Sequence, residues 1–377
     1  MRKSDMKIVF LSNFYNHHQA YISRELYKLT NGNFKFISKK RPSDRIKKFG
    51  YPDLKDEFVV VYDKPSEEVQ KIIDTADVVI CGSSPEIWIE NRKKQRKLIL
   101  RYSERPLKKG KELWKYPYRF LKWHIQTPIC SPIYMLCASA YTASDYLKFG
   151  LYKGKTFKWG YFPECKRYES IEALMAQKTK NEILWCGRFL DWKHPDDVLE
   201  IAKRLKDNGK VFHINFIGSG EMQHELEALC DRYQLFDYVT FVGSVSTDRV
   251  RAYMENASIY LFTSDRQEGW GAVLNEAMNS ACAVVASDEA GSTPYLIQDG
   301  VNGLVYHSGD LNCLYQTLEK LLEKTEMQYK LGLKAYETII NEWNAEIAAK
   351  RLHTLCENIL AGEDAQKIYS NGPCSKA

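Results

Sequence analysis

Two cations stand in the loop Cys186-Gly-Arg-Phe-Leu-Asp-Trp-Lys193, between a strand-like apolar run and a predicted helix that begins at Pro195. Guanidinium and ammonium groups neutralise phosphate oxygens, and a helix N-terminus adds amide donors beside them. Arg188 and Lys193 therefore suit a diphosphate. On these residues alone, a pair of solvated surface cations is an equal alternative.

A second loop, Phe262-Thr-Ser-Asp-Arg-Gln-Glu-Gly-Trp-Gly271, leaves an apolar run and enters a predicted helix. Glu268 precedes the first helical amides, which have no partner within a helix. Glu276 lies well off the apolar face of that helix at 100° per residue. Amides hold phosphate and carboxylates accept hydrogen bonds from sugar hydroxyls, so the segment predicts a sugar-nucleotide ligand. An acid favoured by the helix dipole explains Glu268 but not the glycines. The candidate ligands of this segment are Glu268, Gly269, Gly271, Ala272, Val273 and Glu276.

Two further loops carry weaker signals. Gly218 and Gly220 follow an apolar run, where glycines let the backbone approach a ligand but often mark only a tight turn. Ser244 lies in a loop that presents backbone amides to a base, or in an ordinary turn with Ser246 as helix N-cap.

These loops belong to a repeated pattern in which short apolar runs alternate with amphipathic stretches, and the pattern restarts after residue 180. Such alternation predicts parallel sheets covered on both faces, an α/β fold of two Rossmann-like domains. We expect domains at 1–165 and 181–361, a linker at 166–180 and a disordered polar tail at 362–377; the last helix of the second domain can pack back on the first. Because ligands bind beyond the carboxyl ends of parallel strands, the site is expected in the cleft between the domains.

The composition is that of a soluble protein: 377 residues, 44% hydrophobic and 27% charged. No apolar run reaches the 18 residues of a membrane span, and the N-terminus resembles no signal peptide. The ten cysteines form no CxxC pair, which favours reduced thiols over disulfides or zinc. The sequence therefore predicts a cytoplasmic location and no metal or other cofactor.

The charge is divided unevenly. Residues 1–165 hold 32 Lys and Arg against 17 Asp and Glu, a net charge of +15, whereas the rest carries −9. A basic face suits anionic lipid headgroups or a pyrophosphate-bearing acceptor, although a merely solvated surface remains an alternative. Nucleic-acid binding is not expected, since no known module is present.

The segment Glu268-x7-Glu276, with Gly269, Gly271 and Ala277, resembles the signature of the retaining family 4 glycosyltransferases, also called glycosyl transferases group 1. Ala283-Val-Val-Ala-Ser287 and Ile297-Gln-Asp-Gly-Val-Asn-Gly-Leu-Val-Tyr306 also fit, and the resemblance covers roughly residues 182–310.

The resemblance implies a GT-B fold and transfer of a sugar from a nucleotide-sugar with retention of anomeric configuration. Arg188 and Lys193 would hold the diphosphate, Glu276 the ribose hydroxyls and Glu268 the transferred sugar. That family needs no metal, and no Asp-x-Asp motif occurs here.

The N-terminal half is similar to the family in layout only. Ser12-Asn-Phe-Tyr-Asn-His-His-Gln19 replaces a glycine-rich loop, and His17 or His18 would touch donor or acceptor, or cap the following helix. Glu104 is the best substitute for a catalytic polar group in a later loop, unless it pairs with Arg101 or Arg105.

The sequence thus predicts a metal-independent hexosyltransferase of surface-polysaccharide or glycoconjugate assembly (capsule or exopolysaccharide), with UDP as the first choice of nucleotide and a glycan or lipid-linked acceptor. Peripheral membrane contact is expected through the basic cluster Arg92–Lys97 and through the aromatic and basic stretch Trp114–Trp123. A nucleotide-sugar epimerase of the same fold and a non-catalytic sugar-nucleotide-binding protein remain alternatives.

Overall fold

The computed structural model describes residues 5–40, 54–62, 66–110, 112–128 and 130–377. The chain divides into two compact units. The first unit comprises residues 1–163 and 344–377, and the second comprises residues 164–343.

The first unit contains a seven-stranded parallel sheet of order β3-β2-β1-β4-β5-β6-β7. Its strands are β1 (Ile8–Ser12), β2 (Phe34–Ser38), β3 (Val59–Val61), β4 (Val78–Cys81), β5 (Ile99–Ser103), β6 (Ile133–Cys137) and β7 (Thr156–Lys158). Its α-helices are α1 (His17–Leu29), α2 (Glu67–Thr75), α3 (Glu90–Lys94), α4 (Tyr116–Gln126), α5 (Thr142–Leu147) and, near the C-terminus, α14 (Ala345–Ala361).

The second unit contains a six-stranded parallel sheet of order β10-β9-β8-β11-β12-β13. Its strands are β8 (Thr179–Cys186), β9 (His213–Ile217), β10 (Val239–Gly243), β11 (Ala257–Phe262), β12 (Ala283–Ser287) and β13 (Leu304–Tyr306). Its α-helices are α6 (Ile171–Gln177), α7 (Pro195–Asp207), α8 (Gln223–Arg232), α9 (Thr247–Asn256), α10 (Ala272–Asn279), α11 (Thr293–Leu296), α12 (Leu311–Glu323) and α13 (Thr325–Asn341).

Both sheets confirm the predicted Rossmann-like α/β architecture. The central strands β1, β4, β11 and β12 are buried along their whole length, as a sheet covered on both faces requires. In the second unit the strand order reverses between β8 and β11. Ligands of such sheets bind where the order reverses, so the loops after β8 and β11 are the expected ligand loops.

The predicted boundaries differ from the structure in three places. The second domain was expected to end at residue 361, but α14 belongs to the first unit, on which it was expected to be able to pack. Residues 166–180 were expected to be a linker, but they contain α6 and the start of β8. The tail was expected to be disordered because it is polar, yet Cys374 and Ser375 are buried there. The Ser375 carbonyl accepts a 2.7 Å hydrogen bond from the Lys158 amide, and Lys376 bridges Phe157 in antiparallel fashion. The tail therefore satisfies the open edge of β7, a pairing that composition does not reveal.

The basic cluster Arg92–Lys97, predicted to face lipid, is only partly exposed, so its role at a membrane stays a prediction. Arg92 is fully buried, and its guanidinium donates to the carbonyls of four residues that lie around it, namely Ile73, Ala76, Asp77 and Leu98. Lys97 donates to the Asp74 carbonyl, and Arg96 to that of Cys130. These groups hold the first unit together. The basic residues Arg41, Arg45, Lys47, Lys48 and Lys111 lie outside the described residues.

No helix among the described ranges has both the length and the apolar character that crossing a lipid bilayer demands.

Candidate active site

The two predicted phosphate cations occupy different environments in the loop after β8. The Arg188 side chain is exposed and makes no hydrogen bond or ion pair with any residue that the structure describes. Lys193 is only 14% exposed, and its ammonium forms an ion pair with Glu268 Oε2. The structure thus brings the β8 and β11 loops together through two residues that sequence reasoning had selected separately.

Further contacts fasten the β11 loop to the β8 loop. Thr263 Oγ1 donates to the Lys193 carbonyl at 2.5 Å and accepts from Trp185 Nε1 at 2.9 Å. Ser264 Oγ donates to Glu268 Oε2 at 3.2 Å. The Glu268 carboxylate therefore accepts hydrogen bonds from both an ammonium and a hydroxyl group. These two bonds fix its orientation. Sequence reasoning assigned no role to Thr263 or Ser264, although both stand in the quoted loop.

Acidic side chains surround His194, the residue that follows Lys193 in the chain. Its Nε2 lies 3.6 Å from Asp265 Oδ2, and the hydrogen bond with Asp265 raises the pKa of His194 against the effect of burial. Burial raises the pKa of Asp197 to about 6. His194, Asp196 and Asp197 have potential ligand atoms within 4.8 Å of one another, the only such grouping found in the described ranges.

The loop after β11 ends in a glycine that the geometry requires. Gly271 has φ +86°, and a Cβ there would lie 2.3 Å from the Phe262 ring. This residue is the N-cap of α10, so the amides of Ala272 and Val273 begin the helix without acceptors inside it. Four predicted ligands thus lie together where the β11 loop enters α10: Glu268, Gly271, Ala272 and Val273.

Glu276 occupies the second turn of α10 and is half-buried. No described residue forms a hydrogen bond or ion pair with its carboxylate. Burial raises the pKa of Glu276 to about 7, Arg251 opposes this shift and Glu164 adds to it. Burial raises the pKa of the Cys186 thiol to about 12; Glu276 adds to this shift and Lys193 opposes it, so both charges lie near the end of β8. A desolvated carboxylate without a protein partner is suited to receive hydroxyl protons from a ligand.

The glycines after β9 have a packing role. A Cβ at Gly218 would lie 1.9 Å from the Gly187 carbonyl oxygen, and one at Gly220 would lie 2.3 Å from that of Phe189. Both glycines therefore allow this loop to lie against the β8 loop, and their predicted contact with a donor stays a prediction. Ser244 is exposed, and its hydroxyl lies 2.9 Å from that of Ser219. Gly269 is buried in the β11 loop.

The first unit brings its three predicted polar residues together. His18 stacks on Tyr161 with ring centroids 5.4 Å apart, and His17 lies 3.8 Å from His18. The Tyr161 hydroxyl donates to Glu104 Oε1 at 2.6 Å, and Lys108 lies 3.2 Å from Oε2. Burial lowers the pKa of His17 to about 4 and that of His18 to about 3, so both rings are neutral at physiological pH. Tyr161 joins the group and was missed, because it lies 57 residues from Glu104.

The structure contradicts two of the alternatives that the sequence left open for the first unit. Glu104 pairs with neither neighbouring arginine, because Arg101 binds Glu86 at 2.5 Å and Arg105 lies 3.4 Å from Asp145. The α1 helix is capped by Asn16, whose side chain accepts from the His18 amide, and not by a histidine.

The sequence of the second unit matches a known protein family over most of its length. The model of the family "Glycosyl transferases group 1" matches residues 166–338, which include every donor-side residue described above. Residues 166–338 are a glycosyl transferases group 1 domain. The domain has its β8 and β11 loops at the point where the strand order of the sheet reverses.

Curated relatives resemble the chain at modest identity. The amylovoran biosynthesis glycosyltransferase AmsK of Erwinia amylovora is 28% identical over 182 residues, 47% of this chain and 44% of that protein. The putative colanic acid biosynthesis glycosyltransferase WcaL of Escherichia coli is 26% identical over 194 residues, 50% of this chain and 48% of the other. The chain thus spans about half the length of the curated relatives it matches.

Solved structures resemble the chain over both units. The crystal structure of Anabaena HepE in complex with UDP superposes with a TM-score of 0.71 at 15% identity, covering 94% of this chain and 100% of that one. A glycosyltransferase from Rickettsia africae gives 0.70 at 14% identity, covering 94% and 99%. This likeness shows that the chain has the GT-B fold, of which the group 1 domain is one part.

Proposed function

We propose that the protein is a retaining glycosyltransferase that moves a sugar from a nucleotide-sugar, UDP being the first choice of nucleotide, to a glycan or lipid-linked acceptor in polysaccharide biosynthesis. The observation that carries the proposal is the arrangement of Arg188, Lys193, Glu268 and Glu276 around the ends of β8 and β11. The assignment of AmsK and WcaL to amylovoran and colanic acid biosynthesis and the UDP bound to HepE support it.

In the proposed reaction the bond between the sugar's anomeric carbon and the diphosphate oxygen breaks, and the diphosphate leaves with the electron pair. The acceptor oxygen bonds to the same face of the sugar, and its proton passes to the departing phosphate. Arg188, Lys193 and the first amides of α10 stabilise the negative charge that develops on the diphosphate. The cations perform this task in our proposal, so no metal is required.

The two carboxylates bind different parts of the donor, the ribose and the transferred sugar. Glu276 accepts hydrogen bonds from the ribose hydroxyls, because its carboxylate has no described protein partner. Glu268 accepts from hydroxyls of the transferred sugar while it retains Lys193 and Ser264. Glu104, His17 and His18 then form the acceptor side, where Tyr161 orients the Glu104 carboxylate.

Nucleotide binding tests the donor assignment directly. We expect UDP and UDP-sugars to raise the melting temperature more than GDP, ADP and their sugars, and Glu276→Ala to abolish most of the UDP shift. Differential scanning fluorimetry of both proteins measures this. Asp237→Asn is the control, because Asp237 is an exposed acid just before the edge strand β10, whereas the proposed donor loops lie at the carboxyl ends of the central strands. If no nucleotide shifts the wild-type protein, the donor site is wrongly assigned.

Tyr161→Phe tests the acceptor side. The substitution keeps the ring that stacks on His18 but removes the hydrogen bond to Glu104, so we expect kcat to fall about tenfold with UDP affinity unchanged. Initial rates and UDP titrations separate the two effects. Tyr27→Phe is the matched control, since Tyr27 makes an equivalent 2.6 Å bond to Glu57 on the surface of the same unit. Equal losses in both variants would contradict a role for Glu104 at the acceptor.

A further inference from the structure

One helix of the first unit exposes a row of large apolar side chains. Of the twelve exposed large hydrophobic residues among the described ranges, five lie between residues 114 and 125. They are Trp114 (77% exposed), Tyr118 (66%), Phe120 (53%), Leu121 (63%) and Ile125 (65%). Exposed apolar groups gathered in this way mark an interaction surface, whereas single ones do not.

The spacing of these residues distinguishes the row from core packing. Tyr118, Leu121 and Ile125 follow the i, i+3, i+7 pattern of one helix face, and Trp114 precedes them by one turn. Another face of α4 already packs on the unit, because Tyr116 and Trp123 lie 4.6 and 4.7 Å from the Phe149 ring. The helix therefore has one face that packs inward and a second, outward apolar row, which we call the α4 stripe (Trp114, Tyr118, Leu121 and Ile125).

Cations flank the α4 stripe on one side. Lys115 Nζ lies 4.6 Å from the centre of the Trp114 ring, and Lys122 Nζ lies 5.8 Å from that of Tyr118. Helix α4 itself contains no acidic residue, but Glu112 just before it forms an ion pair with Lys115, so Lys122 is the cation that is left for a lipid phosphate. Aromatic and aliphatic groups bordered by lysines are the pattern of helices that lie in the headgroup region of a membrane, where the ammonium groups reach the phosphates.

We propose that the α4 stripe docks on an anionic lipid surface. The side chains of Trp114, Leu121 and Ile125 enter the boundary between headgroups and acyl chains, while Lys122 contacts a lipid phosphate. A second copy of the chain fits this surface less well, because a symmetric pairing of stripes would bring the same lysines face to face. The inference goes beyond the proposed function and moves the membrane contact from the cluster Arg92–Lys97, whose first arginine is buried, to the α4 stripe.

Vesicle binding by the full chain tests the proposal. We expect the protein to co-sediment with vesicles of equal parts phosphatidylcholine and phosphatidylglycerol, and less with phosphatidylcholine alone. Leu121→Glu/Ile125→Glu should lower the partition coefficient about tenfold or more, because two acids oppose both burial and the surface potential. The matched control is Val211→Glu/Phe236→Glu, since these residues are equally exposed (81% and 62%) in the second unit.

Several outcomes overturn the proposal. Absence of wild-type binding to the anionic vesicles would do so, as would equal binding by the stripe variant or an equal loss in the control variant. Light scattering that shows a dimer of the wild type and a monomer of the stripe variant would assign the surface to self-association. Lys122→Glu changes no apolar side chain and should weaken vesicle binding at low salt. It keeps the proposal testable if the double variant does not fold. UDP affinity without vesicles tests the donor site separately.

Discussion

Arg188→Ala is expected to lower kcat about a hundredfold to a thousandfold while leaving the melting temperature unchanged. Removal of one preorganised charge that stabilises a developing anion typically has an effect of this size. Because Arg188 is exposed and has no described protein partner, its loss leaves no buried group without a partner. The Arg188→Ala variant should therefore lose activity without losing stability.

The comparison with Lys193 makes this experiment sharper. Lys193→Ala would remove a catalytic charge but also leave the Glu268 carboxylate, only 16% exposed, without its ammonium partner, so it confuses stability with activity. Arg232→Ala is the better control for Arg188, because Arg232 is an exposed arginine at the far end of α8. Steady-state kinetics and thermal melts of both variants give the answer. A loss in kcat of less than threefold for Arg188→Ala, within the scatter expected for a surface arginine, would remove it from the diphosphate site.

Glu276→Gln is expected to stabilise the protein and to weaken nucleotide binding at the same time. The folded chain holds this proton up to about pH 7, whereas a carboxyl in the unfolded chain releases it near its usual 4.5. Ionisation therefore lowers the free energy of unfolding progressively between these pH values. Above pH 7 the glutamine should add about 2–3 kcal/mol of stability, and below pH 4.5 almost none.

The same substitution should weaken UDP binding about tenfold to a hundredfold at pH 8, because a neutral amide replaces a carboxylate that accepts ribose protons. The wild-type affinity for UDP should rise as the pH increases through about 7, and the variant should lose the part of that rise due to Glu276. Urea melts and calorimetric titrations at several pH values measure both effects, with Asp237→Asn as the control. A variant that is no more stable at pH 8 than the wild type would show that Glu276 is not held desolvated.

The position of the proposed donor loops at the ends of β8 and β11 was predictable from the sequence because each loop is local. Arg188 and Lys193 follow one strand, and the 100° rule correctly turned Glu276 away from the apolar face of α10. The ion pair between Lys193 and Glu268 joins two loops that are 75 residues apart in the chain, and no local pattern encodes it.

Other errors also come from partners distant in sequence. A run of cations looks the same whether its first arginine is solvated or, like Arg92, surrounded by backbone carbonyls. The polar tail looked unable to fold because composition cannot show that Lys158 offers it a backbone donor. Glu104 has arginines beside it in the chain, but Tyr161 and Lys108 are its partners in space.

The first unit is assembled from two separated stretches of chain, since residues 344–377 belong with residues 1–163. The second unit is one continuous stretch, residues 164–343. During synthesis the ribosome therefore delivers every residue of the second unit before the first unit receives α14 and the partner strand of β7. Although domains generally fold as they emerge, N-terminal first, the half of this protein that begins the chain is the last to be completed.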